Sequence, residues 1–397
     1  MYREYFDPSS PPLYLDGAAT SRPHPEVREA MLQTMEDLYG NPSSPHLEGV
    51  RAETSLEGAR KRVARRLGVD PRGIYFNSGA TEGNNTIIGG VARAFRNRGR
   101  HVIITGMEHP SVREPCRALE ELGIEVSLAL PDTKGYVRAE TIEELLRPET
   151  ILVSVTAVSG EVGTIQPLAE IGEILRRYPE PRPVFHSDIV QAVGRIEIDI
   201  ETLGLDCATV SAHKLRGPRG VGALYLRPGL HIPPLILGGG QERGFRSGTE
   251  NLPGIVGMAL ALDMLTDERS AWRSADVRTH LAREIRAALP GARINGFGPE
   301  DTGGGSAPHI LNVSFPGIPG EVLVHALEEL GIFASTGAAC SSRERRTNAV
   351  LKNMGLDRGR AESAIRFSWS ESPTPEEADR LVAGLRDLVP VLANITS

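Results

Sequence analysis

Three polar residues that follow apolar stretches have side chains suited to chemistry. Lys214 lies in SAHKLRGPRG, where an amine that loses its proton could form a Schiff base. Asp188 ends PVFHSD, with Gln191 three residues later, and a carboxylate there could keep a pyridine nitrogen protonated. His109, in GMEHPSV, offers a ring for stacking and a group that titrates near neutral pH. Each also has an ordinary explanation, since most lysines reach solvent, an aspartate often caps a helix and a lone histidine is usually structural.

A fourth segment, NSGATEGNN at 77–85, is typical of a phosphate site. It follows an apolar stretch and opens a helical pattern, so Gly79, Ala80 and Thr81 would present backbone N–H groups and a hydroxyl at a helix N-terminus. Alone this signal is weak, because such caps are common. The four segments together provide a phosphate cradle, a stacking ring, a pyridinium partner and an amine. This combination predicts pyridoxal 5'-phosphate as the cofactor.

The low lysine content of the chain supports a chemical role for Lys214. Only four of the 44 basic residues are lysines. A bias toward arginine explains the scarcity, but an amine that must lose its proton cannot be replaced by a guanidinium, which stays protonated.

The elements that would position these residues alternate along the first 258 residues. Apolar strand patterns lie at 73–77, 101–105, 125–130, 150–157, 183–188, 207–212 and 222–226. Helical patterns lie at 49–67, 81–97, 111–122, 140–146 and 167–177. This order predicts an α/β fold with a mainly parallel seven-stranded sheet between helices. Ligands of such sheets bind beyond the carboxyl ends of the strands, where the four segments lie.

The pattern changes after about residue 258 to that of a smaller α+β domain. One long helical pattern at 254–289 precedes strands at 310–315 and 364–370, a helix at 321–330 and a last helix from Pro375. We therefore predict a large cofactor-binding domain at 15–258, and a small domain formed by 1–14 and 259–397.

Composition excludes several classes of protein. The chain has 397 residues and a net charge of −7, which argues against direct nucleic-acid binding. No apolar run approaches the roughly 20 residues that span a bilayer, and no secretory leader is visible. Three cysteines without CxxC spacing predict neither a disulfide framework nor a metal site. We expect a cytoplasmic protein.

The order of the motifs resembles that of the cysteine desulfurase family, within the class V aminotransferase-like pyridoxal-phosphate enzymes of fold type I. The resemblance covers nearly the whole chain. Besides the segments above, it rests on YLDGAAT (14–20), GNPSSPH (40–46), GGGQERGFRSGT (238–249), STGAACSS (335–342) and IRFS (365–368).

The resemblance implies a role for each matching residue. Lys214 would form the Schiff base and transfer protons, Asp188 would pair with the pyridinium, and Gln191 would bind the phenolate oxygen. His109 would stack on the ring. The phosphate would be held by the remaining matches, which are Ala80, Thr81, Ser211, His213 and, from the second subunit of a homodimer, Thr249. The substrate carboxylate would bind Arg366, with Asn41 as a second candidate.

Cys340 is the implied nucleophile that takes sulfur from L-cysteine. It lies among small residues in STGAACSS, which resembles the long-loop type of the family and predicts a mobile segment. Arg343, Arg345 and Arg346 could lower the thiol pKa, or could simply be solvated. Cys116 and Cys207 lie in helix and strand patterns, which predicts inert core thiols.

The chain departs from the family at VSGEVG (158–163), where Ser159 and Gly160 replace two asparagines. The second asparagine would normally help Gln191 bind the cofactor, and a water or Ser159 could substitute for it. The loss of one neutral hydrogen bond costs about 1 kcal/mol, so cofactor binding should survive.

These features predict an L-cysteine desulfurase that forms L-alanine and a persulfide on Cys340. The sulfur would pass to an acceptor protein, such as an iron–sulfur scaffold or a tRNA-thiolation protein. A selenocysteine lyase would use the same residues. A sulfur-relay scaffold with low turnover is a third possibility, suggested by Gly160.

Overall fold

The computed structural model describes residues 11–265, 268–302, 305–337 and 348–396, with backbone only at 268–273 and 395–396. Cys340 and the three arginines at 343, 345 and 346 lie outside the described residues. The predictions about the cysteine and its loop therefore rest on the sequence alone.

A seven-stranded sheet with the order β2-β8-β7-β6-β5-β3-β4 organises the larger part of the fold. Its strands are β2 (Ile74–Asn77), β3 (His101–Thr105), β4 (Glu125–Ala129), β5 (Thr150–Ser154), β6 (Val184–Asp188), β7 (Cys207–Ser211) and β8 (Gly222–Leu226). β8 is antiparallel to its neighbours β2 and β7, and the other neighbouring pairs are parallel. The predicted mainly parallel sheet is confirmed, with β5 ending three residues earlier than its pattern.

Helices cover both faces of this sheet. They are α1 (Pro25–Asp37), α2 (Leu47–Leu67), α3 (Ala80–Ala94), α4 (Pro110–Glu120), α5 (Ala139–Leu145), α6 (Leu168–Arg177) and α7 (Leu252–Met264). Along β3, Ile103 joins a core cluster with residues of α2, α6 and α7, whereas Val102 and Ile104 join another with residues of α3 and α4. Both faces of the strand are apolar because alternate side chains point to opposite sides of the sheet, and helices cover both sides.

The remaining strands form two small sheets. β9 (Arg293–Asn295), β10 (Ile310–Ser314) and β12 (Ala364–Ser368) form an antiparallel sheet with β10 in the middle. β1 (Leu13–Tyr14) pairs in parallel with β11 (Ile332–Phe333). The associated helices are α8 (Glu268–Ala288), α9 (Gly320–Glu329), α10 (Ala349–Asn353), α11 (Arg358–Glu362) and α12 (Pro375–Thr396). A third core cluster joins Leu13 and Leu15 to Leu281, Phe367 and Trp369.

The single helical pattern at 254–289 is two helices, α7 and α8, and the prediction of one long helix is wrong. The reason is that the two halves face different cores. Leu262 of α7 packs beside the seven-stranded sheet, and Leu281 and Ile285 of α8 pack with the small sheets. No helix within the described ranges is both long and apolar enough to cross a membrane.

Candidate active site

The carboxyl ends of β6 and β7 lie side by side and place the predicted acid and amine at one edge of the sheet. Asp188 ends β6, opposite Thr209 of β7, and Ser211 ends β7. A single helical turn at Ala212–Lys214 then sets the half-buried Lys214 beyond the strand. Gly217 closes this turn, since its N–H donates to the Ala212 carbonyl and a Cβ at 217 would lie 2.8 Å from that oxygen.

The carbonyl of Ala18 joins Lys214 to Gln191. Lys214 Nζ donates to the oxygens of Ala18, at 2.5 Å, and of Ala19, at 2.7 Å. The Gln191 amide nitrogen donates to the same Ala18 oxygen at 3.1 Å. Two residues predicted to touch the cofactor, 23 positions apart in sequence, therefore meet at one backbone atom supplied by YLDGAAT.

Asp188 is held by a network that runs to His109. Its Oδ2 accepts from Asn84 Nδ2 at 2.9 Å, and the same nitrogen lies 2.9 Å from Ser111 Oγ, which is 2.8 Å from His109 Nδ1. Asn84 is fully buried and accepts from Thr209 Oγ1 at 2.7 Å. Sequence reasoning missed Asn84, although it stands in the GNN of the phosphate segment, because its contacts lie on three other elements.

His109 is neutral in this setting. Burial lowers its pKa, Lys214 lowers it further, and the Asp188 carboxylate opposes both. The Ser111 N–H donates to Nδ1 at 3.1 Å, so the ring proton lies on Nε2. The imidazole thus presents an uncharged face and one N–H, which fits the predicted stacking role.

The phosphate segment has the expected geometry at the start of α3. Gly79 is the N-cap, with a φ of +145° and no capping side chain, and Ala80 N–H donates to Ser211 Oγ at 2.8 Å. Gly79 also lies against β8, where a Cβ at Gly222 would be 2.6 Å from its Cα. Thr81 in the first turn is exposed. This helix end offers N–H groups and hydroxyls to an anion.

His213 borders the site beside Lys214. Burial, and the charges of Lys214 and Arg219, lower its pKa to about 4, and its Nδ1 lies 3.2 Å from Thr20 Oγ1. It is therefore a neutral hydrogen-bonding group at neutral pH.

Glu108 is a buried acid that sequence reasoning passed over. Its Oε1 accepts from Thr105 Oγ1 at 2.6 Å and from Thr156 N–H at 2.8 Å. Its Oε2 is buried without a hydrogen-bond partner in the described part of the chain. Burial, reinforced by the charge of Asp188, raises the pKa of Glu108 to about 8 against the effect of its hydrogen bonds. Glu108 precedes the predicted ring-stacking residue and joins β3 to the end of β5.

Arg366 projects from β12, 8% exposed, toward the other side of the site. Nη2 donates to Asp16 Oδ1 at 2.9 Å, and Nη1 donates to the Gly160 carbonyl at 2.9 Å. Nη1 also lies 3.9 Å from Glu161 Oε2. Nε is buried and has no hydrogen-bond partner among the described residues. The guanidinium is thus fixed in place by two of its five N–H donors.

Glu161 lies between Arg366 and the two ends of the cysteine segment. Burial raises the pKa of Glu161, and Arg366 and the side chains of Asn348 and Asn312 oppose the shift. Asn312 Nδ2 is 3.1 Å from Oε1, and a Cβ at Gly337 would lie 1.9 Å from the same oxygen. Gly337 and Asn348 are the described residues that flank the segment containing Cys340.

Two residues predicted for the site, Thr249 and Asn41, lie away from the other site residues of the same subunit. Thr249 is exposed in the loop before α7, and Asn41 is exposed in the turn before α2, where its Oδ1 accepts from Ser43 N–H at 2.9 Å. No hydrogen bond joins either side chain to the residues above in the described parts of the protein. Their roles stay predictions, and the role of Thr249 requires a second subunit.

A buried ion pair anchors the loop that carries Thr249. Arg60 of α2 makes two bonds of 2.8 Å to the Glu242 carboxylate, and the two side chains are 2% and 1% exposed. Glu242 also accepts from Phe76 N–H of β2 at 2.8 Å. Its φ of +47° is unfavourable for a side chain of this size, so the pair holds the loop in a strained shape.

The other two cysteines are core thiols, as predicted. Cys116 and Cys207 are fully buried. Burial raises the pKa of Cys116 to about 12 and that of Cys207 well above its usual range. Neither thiol is a candidate nucleophile.

The fold and site define a class of enzyme, and comparison with known proteins identifies the family. The family described as aminotransferase class-V matches residues 13–381. A NifS/IcsS protein homolog of Lactobacillus delbrueckii subsp. bulgaricus is 43% identical over 379 residues, which are 95% of this chain and 97% of the relative. The cysteine desulfurase IscS of Dictyoglomus turgidum is 38% identical over 386 residues, 97% of this chain and 96% of the relative.

A solved structure supports the same assignment. A NifS-like protein superposes with a TM-score of 0.87 at 39% identity, over 96% of this chain and 100% of the other. The chain therefore belongs to the class-V aminotransferases and, within them, to the cysteine desulfurase family.

This family depends on pyridoxal phosphate, and the residues present fit that group. A helix N-terminus that begins at a glycine with φ +145° and has the Ser211 hydroxyl beside it suits a phosphate. A buried carboxylate oriented by Asn84 suits a pyridinium, and an amine at the neighbouring strand end suits a Schiff base. The site is thus that of a pyridoxal-phosphate enzyme of fold type I.

Proposed function

We propose that the protein is an L-cysteine desulfurase, which converts L-cysteine and the thiol of Cys340 into L-alanine and a Cys340 persulfide. The observation that carries the proposal is that Lys214, Gln191, Asp188 and Arg366 converge on one edge of the sheet in a member of this family. Gln191 and Lys214 share the Ala18 carbonyl, and Arg366 is bonded to the carbonyl of Gly160 beside Gln191.

The cofactor would be held by residues from several strand ends. Ala80, Thr81, Ser211 and His213 would bind the phosphate, and Asp188 the ring nitrogen. His109 would pack on the ring, and Gln191 would donate to the phenolate oxygen. When bound, pyridoxal phosphate supplies an electron sink for bonds at the substrate α- and β-carbons.

The chain's own groups would do the remaining work. Arg366 would bind the substrate carboxylate, since its guanidinium is fixed at the Gly160 carbonyl beside Gln191 and uses only two of its five N–H donors in these bonds. Lys214 would move protons at Nζ, for which it needs the neutral amine. Cys340 would accept the sulfur as a thiolate and carry it to an acceptor. Asn41 would assist with the substrate.

The proposal includes a homodimer in which Thr249 of the partner subunit completes the phosphate site. Its support is the exposed position of Thr249 in a loop held rigid by Arg60 and Glu242. The exposed side chains of Leu235 and Leu237, 46% and 79% accessible, precede this loop and would become buried in a dimer.

We also propose a domain organisation, sulfur acceptors and a cellular location for the protein. Residues 15–258 would bind the cofactor, and 1–14 with 259–397 would carry the cysteine. Sulfur acceptors would be an iron–sulfur scaffold or a tRNA-thiolation protein. We place the protein in the cytoplasm, where the buried thiols of Cys116 and Cys207 would stay reduced.

The test combines product and covalent chemistry. Protein loaded with cofactor should release alanine from L-cysteine, and mass spectrometry should find one added sulfur on Cys340. Cys340→Ala should lose the persulfide, while Cys116→Ala, a buried matched control, should keep it. The proposal fails if no alanine forms or if Cys340→Ala retains full activity.

A parallel assay separates the alternatives. A rate on selenocysteine far above the rate on cysteine would instead indicate a selenocysteine lyase. Visible cofactor absorbance without alanine would indicate a relay scaffold.

A further inference from the structure

A buried histidine next to the site has no part in the proposed chemistry. His309 directly precedes β10 and is 2% exposed, and its carbonyl accepts from Trp369 N–H at 3.1 Å. Its Nε2 lies 3.2 Å from Gln191 Oε1. Its Nδ1 is buried and has no hydrogen-bond partner in the described chain.

The chemistry of the contact fixes the proton on His309. An amide oxygen only accepts, so the ring must donate from Nε2. Burial lowers the pKa of His309 well below its usual range, and Arg195, Arg366 and Arg278 lower it further. The ring is therefore neutral, with its single proton on Nε2 and a bare Nδ1.

This donor determines which way the Gln191 amide faces. With Oε1 turned toward His309, the NH₂ group lies on the opposite side, where it donates to the Ala18 oxygen that also accepts from Lys214. The second amide proton has no acceptor among the described residues. It is the proton that would reach the cofactor's phenolate oxygen.

Residue 160, the family position that would share this task, has no side chain. A Cβ at Gly160 would lie 3.6 Å from both Cγ and Nε2 of Gln191, which is ordinary contact, so the structure has room for a side chain there. Ser159, the substitute expected from the sequence, faces elsewhere: its Oγ accepts from Glu161 N–H at 3.3 Å and makes no hydrogen bond to Gln191 in the described structure.

We propose that His309 is a positioning residue, which holds the Gln191 amide with its N–H toward the cofactor and so compensates for the missing side chain at Gly160. The inference rests on the proposed placement of the cofactor. If the Nε2–H donor is lost, the amide is free to rotate and its average hydrogen bond to the phenolate weakens. A phenolate with a weaker donor is a stronger base.

The test uses two variants that differ in one property. His309→Gln and His309→Met have unbranched side chains of similar length, but only glutamine can donate to Gln191 Oε1. The readout is the pH titration of the visible absorbance of the Lys214-bound cofactor, together with kcat and KM for cysteine. We expect His309→Met to raise the apparent pKa of the bound cofactor by about 0.7 unit, the equivalent of one neutral hydrogen bond. His309→Gln should titrate like the wild type.

A compensating substitution tests the link to residue 160. Gly160→Asn combined with His309→Met should return the titration to within about 0.2 unit of the wild type, because the asparagine then supplies the donor. An unchanged titration in His309→Met, or equal shifts in the Met and Gln variants, would overturn the inference. If the wild type forms no absorbing adduct, the proposed function fails, and this inference with it.

Discussion

From the network that orients Asp188 we predict how much stability and cofactor affinity the substitution Asn84→Ala removes. Asn84→Ala removes a hydrogen bond to the Asp188 carboxylate and two bonds to the hydroxyls of Ser111 and Thr209. A bond to a charged group contributes about 1.5–3 kcal/mol and a neutral one about 1 kcal/mol. The helix gains roughly 0.5 kcal/mol from alanine. We expect the free energy of unfolding of the cofactor-free protein to fall by about 3–4.5 kcal/mol.

Only the bond to Asp188 should affect the cofactor directly. Its loss leaves the carboxylate with one hydrogen bond among the described residues, from Val190 N–H at 3.0 Å. If the full 1.5–3 kcal/mol of this hydrogen bond is lost from cofactor binding, the dissociation constant of pyridoxal phosphate rises about 10- to 150-fold. Titration of the visible absorbance measures this constant, and urea unfolding followed by circular dichroism measures stability.

The next residue provides a matched control. Asn85 lies on the same helix, and its side chain bonds the Thr81 carbonyl at 2.9 Å, near solvent. Asn85→Ala makes the same chemical change and should alter stability by at most about 0.5 kcal/mol. If the two alanine variants bind the cofactor equally well, Asn84 does not orient Asp188 and the reasoning is wrong. If they are equally stable, the network contributes nothing to the fold.

Three further predictions follow from other groups. Lys214→Arg keeps the positive charge but lacks an amine that deprotonates, so the visible adduct and alanine release should both disappear; residual turnover above background would contradict its role. Glu108 has a folded pKa of about 8, above its unfolded value. Between these two values the unfolded chain has lost the proton and the folded protein has kept it, so the fold loses stability as the pH rises. Glu108→Gln should therefore gain stability relative to the wild type between about pH 5 and 8, by up to about 1.4 kcal/mol per pH unit. Urea unfolding of the cofactor-free protein at both pH values measures this difference. A stability difference that stays constant with pH would refute the raised pKa of Glu108. Arg60→Met should cost about 3–5 kcal/mol in urea unfolding, because it strands the buried Glu242 carboxylate. Adding Glu242→Gln should recover much of that loss, and no recovery would show that the charge is not the cause.

The sequence was sufficient for the parts of the site that follow from sheet topology. Asp188 ends one recognisable strand and Lys214 lies just beyond the next, and parallel strands bring their carboxyl ends to one edge, so their proximity could be predicted. The cofactor followed from residue types in those places. The resemblance to a family then gave Arg366 and Cys340, which have no local signal strong enough to identify them.

The side chains that orient the site could not be predicted, since their partners are far apart in sequence. Arg366 bonds Asp16 across 350 positions, and Gln191 meets His309 across 118. A hydrogen bond of this kind depends on the packing of two elements to within a fraction of an ångström, which no local pattern records. The division of 254–289 into two helices was missed for a related reason, because both halves are good helices and only their separate cores distinguish them.

Residues 13–20 have a consequence for recombining this protein with its relatives. Leu13 and Leu15 pack into the core of the small sheets, while the carbonyls of Ala18 and Ala19, a few residues on, accept from Lys214. The unit formed by the carboxy-terminal third of the chain therefore also includes this amino-terminal strand and is discontinuous in sequence. A chimera that takes everything after residue 265 from another desulfurase would set a foreign sheet against the native strand that leads to the carbonyls bound by Lys214. If the amino-terminal strand is exchanged together with the residues after 265, the strand and the core it packs into come from the same parent protein.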